Sequence, residues 1–428
     1  MTRFLAGLLT LVLAAGCGTA APGTPGPGDI ELAAANIPHL SGTPADASNA
    51  GAAVNAFGLD LYAAVAAADP GANLVISPAS IAVALSMARA GARGQTAAEM
   101  DTVLRDLGTD EHATWLAALD AALNSRTGTF RDRGGEEQQV TLRIVNAPFA
   151  QRGLTLEDAF LDALAERFGA GLRLVDYRAA AEDARRLINA WVADQTEDRI
   201  EELLAQGTID SLTRLVLVNA IYLKAAWQTP FAEAATAPAT FTRLDGSVVD
   251  VPMMQGGGAL PYAAGDGWRA VELPYVGGKL AMLVIVPDDL AAFEPAFDEA
   301  ALDAIVSGLG SREVILGMPK FGTESQLELN DVLAAMGMPT AFDDAAADFS
   351  GITTEEQLFI SAVIHQANID VDEKGTEAAA ATAVVMAASA APGEIVTLTV
   401  DRPFLFALRD TETGAVLFLG RVADPSAS

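Results

Sequence analysis

The chain has 428 residues, 51% of them hydrophobic, a formal net charge of −30 and one cysteine. So much apolar material excludes a disordered chain and suffices for a large core. Four lysines (Lys224, Lys279, Lys320 and Lys374) leave no basic footprint for nucleic acid or an acidic polysaccharide.

The first residues read as a targeting segment. Arg3 makes a positive start, Phe4 to Ala15 is apolar, and Leu13-Ala14-Ala15-Gly16-Cys17 offers a small-residue cleavage site. A cysteine straight after Ala-Gly resembles the box of a bacterial lipoprotein, although Ala14 stands where Leu is commoner. On that reading residues 1–16 are removed, Cys17 is lipidated, and the chain is exported, anchored to the cell envelope or extracellular. An ordinary secretory peptide that happens to contain a cysteine is the alternative. Acylation of Cys17 leaves no thiol for a disulfide, so the core alone must supply stability. No later segment reaches 18 uninterrupted apolar residues, and no spanning helix is expected.

Residues 17–48, rich in Pro and Gly at their start, read as a tether, with His39 solvated inside it. Residues 49–428 read as one large domain, since no internal repeat or mid-chain linker divides them. Asn55 to Ala67 has helical apolar spacing. Asn73 to Ile76 is a short strand, and Ser77-Pro78-Ala79-Ser80 opens a helix that stops at Gly91, with Ser77 or Ser80 as its cap. Asp110 to Leu123 is a further helix. The one modest basic cluster, Arg126, Arg131 and Arg133, is offset by Asp132, Glu136 and Glu137 and reads as a solvated loop.

Leu142 to Ala150 alternates like a strand, Leu156 to Phe168 like an amphipathic helix, and Leu172 to Tyr177 is a strand again. Ala184 to Thr196 is helical. Leu215 to Trp227 reads as a buried strand with Asn219 as a polar intruder. Short apolar runs bounded by Gly or Pro follow at Val248–Met254, Trp268–Tyr275, Leu280–Pro287 and from Val314. Leu329 to Met336 is a helix, Leu358 to Asp372 a long strand, and the C-terminus a hairpin of two hydrophobic strands.

Between that long strand and the hairpin lies Val371 to Gly393, which carries no charge after Glu377. Three readings of its residues stand: an alanine-rich helix, a flexible linker, or a segment built to become a strand. Alternate positions Thr376, Ala378, Ala380, Thr382 and Val384 form an uncharged face of small side chains, as entry into a packed core requires.

Glu373-Lys374-Gly375-Thr376-Glu377-Ala378-Ala379-Ala380-Ala381-Thr382 resembles the hinge of an inhibitory serpin, and the similarity extends in order over roughly residues 49 to 425. The resemblance implies an α+β serpin fold: a large central, mostly antiparallel sheet, two smaller sheets, eight to nine helices and an exposed reactive-centre loop. It assigns Ser77, Ser80, Asn219 and His365 to the shutter, where the central sheet parts, and Trp227 to the breach. It also implies a suicide inhibitor of serine or cysteine proteases, in which the cleaved loop enters the central sheet. The scissile bond in inhibitory members lies about fourteen residues past the hinge glycine. That points to Ser389-Ala390, with Ala388-Ser389 or Ala390-Ala391 as neighbours in register. The small residues there fit elastase-like or subtilisin-like proteases and exclude a trypsin-like preference.

The expected partner is a target serine protease in covalent complex, with a monomeric inhibitor, no nucleic acid, and membrane attachment only through Cys17. Neither cofactor nor metal is expected, because no phosphate loop, metal-ligand cluster or nucleophile motif is present. A Ser/His/Asp hydrolase built on His365 is the rival enzyme reading, but a lone strand histidine is more often a bonded core residue. A non-inhibitory serpin, a binding or chaperone protein, is the second alternative. The small hinge residues Ala378 to Ala381 weigh against it.

Overall fold

Apolar runs between Gly and Pro punctuation form two sheets in this computed structural model, which describes residues 29–377 and 395–427. The leader, Cys17, the hinge residues Ala378 to Thr382 and the bond residues Ala388, Ser389 and Ala390 lie outside the described residues. Nine α-helices flank the sheets among the described residues.

The central sheet runs, edge to edge, Glu31–Ala33, Leu172–Val175, Glu137–Gln151, Leu215–Ala226, Gly375–Thr376, Ala362–Val371, Phe321–Glu328. Gly128–Arg131 pairs with the start of Glu137–Gln151. The Leu215–Ala226 strand is buried on both faces. Leu215, Leu217, Ile221 and Leu223 join the main core, while Val216, Val218 and Ala220 face a second core with Ile188 and Val192. This two-sided burial explains its nearly unbroken apolar sequence.

The second sheet holds nine strands, from Ile395–Thr399 through Gly310–Pro319 and Val248–Gly265 to the C-terminal hairpin and Leu74–Ile76. The two smaller sheets expected from the sequence are continuous, because Val248–Gly265 serves both. Gly257, at φ +138°, sits where this strand presses on its neighbour; a Cβ there would lie 2.0 Å from the Val314 carbonyl oxygen.

Three expectations need correction. The tether does not extend to residue 48. Glu31–Ala33 is an edge strand, and a helix begins at Pro44 behind a Thr43–Asp46 capping box. His39 is held rather than solvated, its Nε2 3.1 Å from the Arg167 carbonyl oxygen. That helix, Pro44–Ala68, is long and apolar enough to cross a membrane, but Ala50, Val54, Phe57, Leu61 and Val65 are buried in the core. Arg126 is likewise not solvated, although it sits in the turn between the Ala113–Asn124 helix and the Gly128–Arg131 strand. It is buried, with Nε 2.5 Å from Asp410 on the C-terminal hairpin, a partner 284 residues away that local charge counting misses.

Candidate functional site: a cleft in the central sheet

The Leu215–Ala226 and Ala362–Val371 strands are parallel and pair only along residues 216–221 and 362–367. Above Ile221 and Ala367 they diverge, and Gly375–Thr376 enters between them, antiparallel to both. Thr376 is opposite Ala225 on one side and Val371 on the other. A side chain at Gly375 would collide with the Ala225 carbonyl oxygen at 2.1 Å, so this entry requires glycine.

The paired stretch below is latched by polar groups. His365 and Asn219 are cross-strand partners, joined from imidazole Nδ1 to amide Oδ1. The Ser77 backbone N–H donates to His365 Nε2 at 3.0 Å, so the ring proton belongs on Nδ1, the donor to Asn219. Asn219 Nδ2 then donates to the Ile364 carbonyl oxygen at 3.2 Å. Ser77 caps the helix Pro78–Gly91, accepting from the Ser80 N–H. Ser80 Oγ donates to the Ala220 carbonyl oxygen at 3.3 Å and accepts from Asn146, the residue across from Asn219 on Glu137–Gln151. Burial depresses the His365 pKa to about 3, so the ring is neutral, and with both nitrogens hydrogen-bonded inside the core it is out of reach of an exposed substrate.

At the top, Trp227 stacks on Tyr275 with ring centroids 4.4 Å apart. Trp227 Nε1 donates to the Asp372 carbonyl oxygen at 2.9 Å, and its backbone N–H to that of Lys374 at 2.8 Å. Tyr275 Oη and Thr376 Oγ1 share a buried 2.6 Å hydrogen bond. Glu373 is clamped by Lys320 Nζ at 2.6 Å and Thr236 Oγ1 at 2.7 Å. Burial alone would raise its pKa, but these hydrogen bonds, a backbone hydrogen bond and the Lys320 charge together hold it low. Glu377 is different. Burial pushes its carboxyl up, Arg199 Nε at 3.1 Å offsets this only in part, and Asp370 adds to it. It also holds φ +50°, and its backbone N–H donates to the Asp370 carbonyl oxygen at 3.1 Å. Burial, with the Glu377 and Glu197 carboxylates nearby, pushes the Tyr222 phenol up to about 12.

The profile described as Serpin (serine protease inhibitor) matches residues 52–425. This chain is a serpin. It is 38% identical to an uncharacterized serpin-like protein of Thermococcus kodakarensis, over 87% of this chain and 85% of that one. It is 35% identical to the leukocyte elastase inhibitor of Homo sapiens, over 86% and 97% of the two chains. Among solved structures, uncleaved ovalbumin matches with a TM-score of 0.77 and 28% identity, covering 88% of this serpin and 99% of ovalbumin. Native protease nexin-1, crystallised with heparin, matches at 0.75 and 31%, covering 90% and 100%.

The serpin fold thus brings Ser77, Ser80, Asn219 and His365 into one cluster, and ties Trp227 to the backbone of Asp372 and Lys374. Sequence reading missed Asn146, Thr236, Tyr275, Lys320 and Arg199. Lys320, one of only four lysines, carried the sole signal, and nothing local tied it to Glu373.

Proposed function

We propose that this serpin is a suicide inhibitor of serine proteases, and by the same acyl chemistry of cysteine proteases, with elastase-like or subtilisin-like preference. The observation that carries the reading is the wedge: two hinge residues already hold strand positions in a cleft whose lower half is only latched shut. Extending their register puts Thr382 opposite both Asn219 and His365, and Val385 opposite both Val216 and Ala362. A small hydroxyl therefore replaces the latch at its own level. Serpin loop insertion is itself a standing instance of strand addition, and its sequence of events is applied to these residues.

The protease attacks the Ser389 carbonyl, expels the Ala390 amine and is held as its acyl-enzyme. Insertion from Thr376 to Ser389, at roughly 3.3 Å per residue, then drags it about 43 Å. New ladder bonds at about 1 kcal/mol net each, with apolar burial, supply on the order of 10–20 kcal/mol. That rivals a domain's stability and is enough to displace the oxyanion donors that deacylation needs. The similarity to a leukocyte elastase inhibitor and the absence of Lys or Arg from Thr376 to Glu394 support the specificity.

Incubation with pancreatic elastase should give an SDS-stable covalent band, and sequencing the released C-terminal peptide should place the bond at Ser389-Ala390. Complete loop cleavage that leaves the elastase fully active would instead indicate a non-inhibitory serpin. The mature protein is proposed to be a monomer exported on a lipid attached to Cys17. An unacylated N-terminal peptide in the mass spectrum of the native protein would exclude that anchor.

A further inference from the structure

The family match begins at residue 52, yet described structure begins at residue 29. The added segment does not trail away from the body. Glu31, Leu32 and Ala33 pair antiparallel with Leu174, Arg173 and Leu172, extending the central sheet by one strand. The Arg152 guanidinium, just past the end of the next-but-one strand Glu137–Gln151, reaches over to it, donating to the Asp29 carbonyl oxygen, with Nε 3.7 Å from the Glu31 carboxylate. The chain then crosses the end of the Asp158–Phe168 helix, where the Leu40 N–H donates to the Glu166 carbonyl oxygen at 2.6 Å and His39 meets Arg167. Gly42 passes so close to the Ala113–Asn124 helix that a Cβ would lie 2.5 Å from the Ala118 methyl. The receiving surface is shaped to match. A side chain at Gly171 would strike the Ala33 carbonyl oxygen at 2.7 Å and the Ala34 methyl at 2.8 Å.

We propose that residues 29–43 are a clip that resists opening of the central sheet, so that loop insertion requires the edge strand to yield. The proposal rests on the insertion mechanism above. A strand entering beside Leu215–Ala226 must push that strand away from Ala362–Val371 by one strand spacing, about 4.8 Å. Glu137–Gln151 and Leu172–Val175 belong to the displaced half and move with it. The far end of the clip does not belong to that half. It runs into the Pro44–Ala68 helix, fixed to the C-terminal hairpin by Asn55, which donates to the Gly414 carbonyl oxygen and accepts from the Val416 N–H. A cavity of about 410 Å³ lies under the Glu137–Gln151 strand, between it and the Ala113–Asn124 helix, with Leu32 among the residues lining it. The strand thus has room to shift, and the clip spans the edge of that room.

The test locks the clip. Leu32 and Arg173 are directly opposed, at a spacing a disulfide can bridge. In a full chain carrying Cys17→Ser, Leu32→Cys and Arg173→Cys, the oxidised protein should show a stoichiometry of inhibition at least threefold above the reduced protein. Reductant should restore it. Equal stoichiometries in the two states overturn the clip. In the opposite sense, Gly171→Val evicts the strand and should shorten the native form's lifetime at 45 °C at least fivefold; an unchanged lifetime also overturns the clip. Thermal melting after loop nicking separates this idea from its parent. No rise in melting temperature in the reduced protein sinks insertion itself, and the clip with it. An equal rise in reduced and oxidised protein sinks only the clip.

Discussion

Among the described residues, Thr376 is the last of the hinge to hold a strand position in the cleft, and it is almost wholly buried. Its hydroxyl needs Tyr275, a residue 101 positions earlier. Thr376→Arg places a guanidinium where only a phenol awaits it, and an unpaired buried charge costs several kcal/mol. The hinge is then expelled, insertion slows relative to deacylation, and cleaved inhibitor is released with active protease. Titration against elastase should show the stoichiometry of inhibition rising at least threefold; an unchanged value would contradict the role given to this residue. The need for a small uncharged residue at 376 is legible in the sequence, through the pattern it shares with the hinge alanines. The partners of Thr376 and its neighbours Glu373 and Glu377 are not. Tyr275, Lys320, Thr236 and Arg199 lie in four separate segments, and only the fold makes them neighbours.

Strands and helices were easier to read than their ends. Leu215–Ala226 stands out because burial on both faces demands a nearly unbroken apolar run, and Ser77-Pro78 marks its helix by capping chemistry. Glu31–Ala33 was missed because three residues show no periodicity, and the Pro-Gly run before them biases the reading toward a tether. What no element shows alone is the latch between two of them. His365, buried and neutral, joins the two strands that would part under the proposed insertion, and its pKa, depressed by burial to about 3, makes stability depend on pH. Above its unfolded value of about 6.5 the ring is neutral in both states and costs nothing. Below that value the unfolded chain takes up a proton that the folded chain refuses. Stability from this group therefore falls by about 1.4 kcal/mol per pH unit as pH drops from 6.5 toward 3. Urea unfolding of the native form should lose about 2 kcal/mol through His365 between pH 7 and pH 5. The burial-raised Glu377 works in the opposite direction, so the measurement is the difference between wild type and His365→Asn. Parallel pH profiles for the two proteins would show that the imidazole does not act as a neutral latch.

At the scale of the molecule, the central sheet is incomplete in the middle, where sheets normally are tightest. Two long strands touch along six register pairs and separate above them, around a two-residue wedge. On the proposed mechanism, a chain in this arrangement has a lower-energy neighbour in which the cleft is filled by its own loop, and the restraint is that the loop's far end continues into Ile395–Thr399 on the other sheet. Cutting the loop removes that restraint without removing an atom from the core. Limited proteolysis between Val385 and Ala391 should therefore raise the melting temperature rather than lower it. Filling the cleft is worth on the order of 10 kcal/mol or more. For a domain this large, about 2 °C per kcal/mol at the low end of the usual range puts the rise near 20 °C. The nicked chain should also resist urea beyond the intact one, and a synthetic peptide spanning Thr376 to Met386 should compete for the cleft and block the rise. If the nicked and intact proteins melt together, the cleft gains nothing by being filled, and no force remains to trap a protease.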